Sequence, residues 1–164
     1  MRRAFFVGAL TLALAAPFAA AAGDMESPPT IWGDWATPGL GSIVSIQSCD
    51  SGRGQKHACG RIAWLWDATG KDGAPRRDLE NPDPKLRAKP LAGAVILSGF
   101  RESTAGVWIG GTVYNPDDGR RYTGAIRVRG DGALELEGCA LRIFCQTQTW
   151  RRTGELLAAL SARQ

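Results

Sequence analysis

A single histidine, His57, stands two residues before Cys59 and beside the glycine-rich run Asp50-Ser51-Gly52-Arg53-Gly54. Imidazole titrates near neutral pH and is the commonest general acid–base group. It needs a nucleophile and an orienting carboxylate, and no Gly-x-Ser-x-Gly elbow or phosphate-binding glycine loop accompanies it. His57 therefore reads as an exposed hairpin residue. Two carboxylate pairs invite the question of glycosidase chemistry. Asp117-Asp118 sits between Asn115-Pro116 and Gly119, a composition that makes turns through local hydrogen bonds. Glu135 and Glu137 alternate with Leu134 and Leu136, which sends the carboxylates to solvent. The sequence thus predicts no catalytic residue and no enzyme.

Four cysteines remain: Cys49, Cys59, Cys139 and Cys145. No Cys-x-x-Cys occurs and only one histidine is available, so a zinc site is not expected, nor is any cofactor. An even number in an exported chain favours disulfides. Three pairings exist. The most economical joins Cys49 to Cys59 and Cys139 to Cys145, because each pair brackets a turn. Each small loop would contribute about 2–3 kcal/mol in the chain-entropy model.

The aromatic side chains are the better candidates for function. Trp64, Trp66, Trp108, Tyr114 and Tyr122 occupy alternate positions in strand-like runs. Turned inward, they would line an apolar pocket with a few polar groups, as small-ligand sites do. The competing reading is that they simply fill a core. Asn81 and Arg87, on a long connection, would add polar contacts at the mouth of such a pocket, or else serve structure: Asn81 in a turn, Arg87 in an ion pair with Asp78.

These residues need elements to hold them. Residues 1–22 are set aside first. Met1-Arg2-Arg3 precedes an apolar run from Ala4 to Ala22 that ends in small residues before Gly23, the three-part pattern of a secretory signal peptide. An uncleaved anchor is the alternative, since the run is about long enough to cross a bilayer. Without Arg2 and Arg3 the formal charge falls from +4 to +2, too small to point to nucleic acid. Gly23–Gln164 suits one domain with one core and contains no further membrane span.

Within that domain apolar and polar residues alternate in short runs separated by turn signals. Strands are predicted at Trp32–Ala36, Ser42–Cys49, Ala58–Trp66, Ala94–Phe100, Val107–Tyr114, Arg121–Arg129, Ala133–Cys139 and Ile143–Trp150, followed by a short helix, Glu155–Ala162. Ile62, Trp64 and Trp66 are expected on one face, as are Tyr122, Gly124, Ile126 and Val128. Gly110-Gly111, inside a strand, marks a bend or a close backbone approach. Short connections force antiparallel neighbours, and about eight such strands close into an up-and-down barrel or stack as a two-sheet sandwich. The one long connection is Asp67–Ala92. Connections of this length are often lids. Asp83 caps and Pro84 opens a helical turn over Lys85–Lys89, Pro90 stops it, and Leu86 is the expected anchor. A slack loop is the alternative.

Several motifs together resemble domain-of-unknown-function family 2147, small exported bacterial proteins. They are Gly33-Asp34-Trp35, CGRIAWL from Cys59 to Leu65, NPDPKLRAKPLAG from Asn81 to Gly93, GGTVYNPDDGRRY from Gly110 to Tyr122, LEGC from Leu136 to Cys139, and QTQTWRR from Gln146 to Arg152. The resemblance covers nearly all of the chain after residue 22. It implies a periplasmic or secreted protein with a lipocalin-like barrel. Lipocalins carry Gly-x-Trp on the first strand and an arginine after the last, which here are Gly33 and Trp35 with Arg151 or Arg152. The guanidinium would pack on the indole and close the barrel base. By the same analogy the barrel would carry a small apolar or amphiphilic ligand, such as a fatty acid or another envelope lipid. A filled barrel acting through its surface in the envelope is the alternative.

Overall fold

The computed structural model describes residues 30–50 and 56–162. The predicted leader, residues 1–22, and most of the Asp50–Gly54 turn lie outside the described residues. Alternating sequence becomes eight strands: β1 Gly33–Ala36, β2 Ser42–Asp50, β3 Lys56–Leu65, β4 Val95–Thr104, β5 Val107–Asn115, β6 Arg120–Val128, β7 Leu134–Ala140 and β8 Phe144–Arg152. Each pairs antiparallel with the next, and β1 pairs with β8, so the sheet is a closed barrel in sequence order. Closure leaves no free sheet edge, and the sandwich alternative is not formed. A 3-10 turn at Pro38–Leu40 joins β1 to β2. Helix α1, Pro84–Arg87, lies in the long connection, and α2, Thr153–Ser161, follows β8.

Up-and-down order sorts the connections. The links β1–β2, β3–β4, β5–β6 and β7–β8 share one end, termed the mouth. The links β2–β3, β4–β5 and β6–β7 share the other, termed the base. The base half of the interior holds the main core. Trp35, Val44, Ile46, Leu97, Phe100, Trp108, Ile126, Leu134 and Trp150 form one buried cluster, with Trp32 edge-on to Trp108 at 5.0 Å between ring centroids. Phe100 fits because two facing strand residues lack side chains. A Cβ on Gly111 would lie 2.2 Å from the Phe100 ring, and one on Gly124 2.8 Å from it. Close approach is thus the reason for Gly111, while its neighbour Gly110 sits at a register shift, with φ +70°.

The base is closed by Trp35 and Arg152, directly paired across β1 and β8. The Arg152 guanidinium carbon stands 4.2 Å from the indole centroid. Its Nη1 donates to the Trp32 carbonyl at 3.1 Å, its Nη2 donates to the Thr30 carbonyl, and the indole Nε1 donates to the Ile31 carbonyl at 2.7 Å. Arg152, not Arg151, is the partner; Arg151 points out to Asp131 at 3.5 Å. The disulfides join Cys49 to Cys59 across β2 and β3, and Cys139 to Cys145 across the β7–β8 hairpin.

Candidate site in the mouth half of the barrel

Near the mouth the packing stops. Val113, Tyr122, Leu136, Gly138, Gln146 and Gln148 continue the inward row set by Gly111, Gly124 and Ile126, because the register pairs Val113 with Tyr122, Leu136 with Gln148 and Gly138 with Gln146. Yet Gln146 and Gln148 are solvent-exposed. Inward residues that water reaches mark a hollow. The cavity they line holds about 560 Å³ and is completed by Asn115, Asp118, Arg120, Ala140, Phe144 and Cys145. A neighbouring space of about 310 Å³ shares Val113, Asn115, Leu136 and Gln148 with it and runs under the long connection to Ile62, Leu65 and Leu91. Gln148 Oε1 accepts the Trp150 indole N–H at 2.9 Å, which fixes the floor between hollow and core.

The long connection covers this end as an ordered lid. Leu91 is buried against Ile62 and Leu65, with Ile96 packed beside them. Leu91, not Leu86, is therefore the apolar anchor: α1 buries no residue and Leu86 is only half-buried. The predicted cap is present, with Asp83 Oδ1 accepting the Lys85 N–H at 2.9 Å. The second anchor is polar. Tyr114 Oη donates to Asp78 Oδ1 at 2.7 Å, and Asn81 Nδ2 donates to Asp78 Oδ2 at 2.6 Å. Asn81 Oδ1 accepts the Asp83 N–H at 2.9 Å, and its carbonyl accepts Arg87 Nε at 2.7 Å. Asp78 and Asn81 are both 4% exposed, so their polar atoms depend on this network. Burial, together with the hydrogen bond to Asp78 and its charge, pushes the Tyr114 hydroxyl up to about 12. The expected Asp78–Arg87 ion pair is not formed, because the Asp78 oxygens are taken by Tyr114 and Asn81.

The β5–β6 hairpin braces the lid. Arg76 meets Asp117 at 3.2 Å. Gly119, at φ +68°, passes so close to the lid backbone that a Cβ there would lie 2.0 Å from the Glu80 carbonyl oxygen. Asp118 accepts from Tyr122 Oη at 2.6 Å and from the Arg120 N–H at 2.9 Å. Burial alone would raise the Asp118 carboxyl; those hydrogen bonds outweigh it and hold the group below its usual range. Glu135 is taken up by Arg129 at 3.1 Å and Arg127 at 3.9 Å. These carboxylates brace turns and strands. His57 is half-buried rather than exposed, and its buried Nε2 has no hydrogen-bond partner among the described residues. Glu137 gathers with Cys139 and Cys145, but both sulfurs are joined in the disulfide and offer no thiolate to a metal.

The five aromatic candidates are scattered. Trp108 fills the base. Trp64 and Trp66 stand outside, 42% and 73% exposed, with ring centroids 5.9 Å apart. Their displacement has a local cause: Ala63 is an extra residue between the pairs Val44–Ile62 and Ile43–Trp64, which turns Trp64 away from the face of Ile62. Tyr114 lies on the outer face beside Arg121, whose guanidinium carbon is 5.6 Å from its ring, because the shift at Gly110 reverses the parity after Trp108. Of the five, Tyr122 lines the cavity. Asn81 and Arg87 work in the lid.

A larger open recess of about 1070 Å³ lies at the base among Thr30–Asp34, Ser45–Ser48, Lys56, Arg101, Glu102, Gly106 and Trp108. It adjoins residues outside the described set at both Thr30 and Lys56. The mouth cavity, lined throughout by described residues, is the better-defined site.

A closed eight-stranded barrel with a packed base, a Trp–Arg closure and a hollow mouth defines a lipocalin-like fold. The chain belongs to the family described as "Uncharacterized protein conserved in bacteria (DUF2147)", whose model matches residues 33–152. Its fold is similar to that of HP1028 from Helicobacter pylori, described as belonging to the lipocalin family: TM-score 0.64 and 23% identity over 80% of this chain and 89% of that one. No curated protein matched the sequence. Among the described residues no helix is long and apolar enough to cross a membrane.

Proposed function

We propose that this protein is an exported binding protein that holds one small apolar or amphiphilic molecule in the mouth half of its barrel. The observation that carries the reading is the hollow itself, where inward Gln146 and Gln148 remain open to solvent above a solidly packed base. Its volume of about 560 Å³ falls within the usual range of small-ligand sites, about 300–1,000 Å³. Val113, Leu136 and Phe144 offer apolar surface to a chain or ring. Arg120, Gln146 and Gln148 offer hydrogen bonds to a polar head nearer the rim. The core cluster beneath Gln148 and Trp150 limits how deep such a ligand reaches. The two disulfides suit an oxidising compartment, and together with the leader-like residues 1–22 they support a site of action in the periplasm or outside the cell. Carriage or sensing is proposed rather than catalysis, since the carboxylates at the mouth are engaged in turn and lid contacts. Native mass spectrometry of protein purified from its own envelope is the test. A single added mass that denaturation releases supports the reading; uniformly ligand-free protein that takes up no lipid from an envelope extract contradicts it.

A further inference from the structure

The mouth rim carries apolar side chains that the fold does not need. On the β7–β8 tip Leu141, Ile143 and Phe144 are 83%, 72% and 68% exposed. Around the adjoining arc follow Leu40, in the turn that packs beside β8, then Trp64 and Trp66 at the end of β3. The backbone sharpens the point. Leu40 and Leu141 sit at φ +57° and +51°, and Arg142 at +62°. Glycine or asparagine adopts that conformation more readily than leucine. Two exposed leucines at strained turn positions contribute little to the core and cost backbone energy, so their side chains act on something outside the barrel. The Cys139–Cys145 bridge spans the base of the tip and presents it as a rigid wedge.

We infer that this rim docks on a phospholipid bilayer surface, with the β7–β8 tip inserted at the acyl–headgroup boundary. The tip carries three exposed apolar side chains, a smaller apolar surface than the roughly 800 Å² per partner of a stable protein interface. Leucine, isoleucine and phenylalanine favour an apolar medium, and tryptophans such as Trp64 and Trp66 settle at the headgroup level. Arg142 is the one charged residue between Ala140 and Cys145, and its charge suits anionic headgroups. Asp67, next to Trp66, opposes them, so apolar contact rather than charge dominates. Phe144 belongs both to the tip and to the cavity wall, which joins the docked surface to the hollow.

Docking does not require that the cavity be occupied, and its test keeps the two apart. All eight strands and both disulfides lie between Gly33 and Arg152, so a chain starting at Gly23 contains the whole barrel and lacks the apolar leader. It is sedimented with sucrose-loaded vesicles of phosphatidylethanolamine and phosphatidylglycerol. The unaltered chain should partition onto them, and Leu40→Asn with Leu141→Asn should lower the partition coefficient about tenfold or more. Asparagine tolerates the left-handed backbone, so the melting temperature should hold or rise. Val113→Phe, which narrows the cavity, should leave partition unchanged. Absent partition of the unaltered chain, or undiminished partition of the double variant, would overturn the inference, as would loss of partition in Val113→Phe. Concentration-dependent self-association abolished by the double variant, without vesicle binding, would assign the rim to a second copy instead.

Discussion

Two tryptophan and tyrosine contacts set the ends of the molecule. Trp35 is fully buried between Arg152 and the Ile31 carbonyl, so Trp35→Ala removes core volume and leaves the Ile31 acceptor unsatisfied. The expected cost is about 3–5 kcal/mol in equilibrium urea unfolding; an unchanged midpoint would refute the closing role. Tyr114 holds the lid through a proton. Its hydroxyl is raised to about 12 in the folded protein, against about 10 unfolded. Between those values the folded state binds the proton that the unfolded state has lost, so stability falls as pH rises. The contribution is full below about pH 10 and gone above about pH 12. Tyr114→Phe should flatten that part of the pH–stability curve and destabilise the protein by about 1–3 kcal/mol at neutral pH, since Asp78 stays buried with one partner fewer. An alkaline slope identical in the two proteins would show that Tyr114 is not responsible.

At the scale of elements, the lid divides its hold between Leu91 and the Asp78–Asn81–Tyr114 network, while α1 rides above them with no buried residue. Leu91→Ser should therefore raise amide exchange across the 67–92 connection and leave the amides of β5–β8 protected. Leu86→Ser should change exchange little. The reverse order would move the anchor into α1. Much of this was legible beforehand. Asp83-Pro84 and Pro90 delimit the helical turn because capping and ring sterics act locally. The strands were legible because alternation is local too. What was not legible depends on register. One inserted residue at Ala63 and another at Gly110 reverse the inward–outward parity, and that reversal sends Trp64 and Tyr114 outside. Asp78 was read as an ion-pair partner because one of its true donors, Tyr114, meets it only when the lid folds onto β5.

Across the whole molecule, most of the buried aromatic residues mark where the barrel is full, while Tyr122 and Phe144 line the mouth cavity. Phe100, Trp108 and Trp150 pack the base, and beside Tyr122 the hollow is lined by residues that the sequence did not single out as binding candidates: Val113, Leu136, Gln146 and Gln148. A glutamine on an inward row was the available signal, since a filled barrel would not bury that amide without partners. The division into a solid base and an open mouth predicts that ligand affinity and global stability respond to different residues.

The most direct measurement is a fluorescence titration with a naturally fluorescent polyene fatty acid, on the unaltered chain from Gly23 and on Val113→Phe. The phenylalanine projects into the mouth cavity beside Tyr122 and Leu136, at the edge of the core cluster on which Val113 packs. The unaltered protein should bind saturably one to one, and Val113→Phe should weaken binding at least about tenfold, a loss of about 1.4 kcal/mol in binding free energy or more, with the melting temperature within a few degrees. Non-saturable binding, or equal affinity in the two proteins, would contradict a ligand site in the mouth half of the barrel.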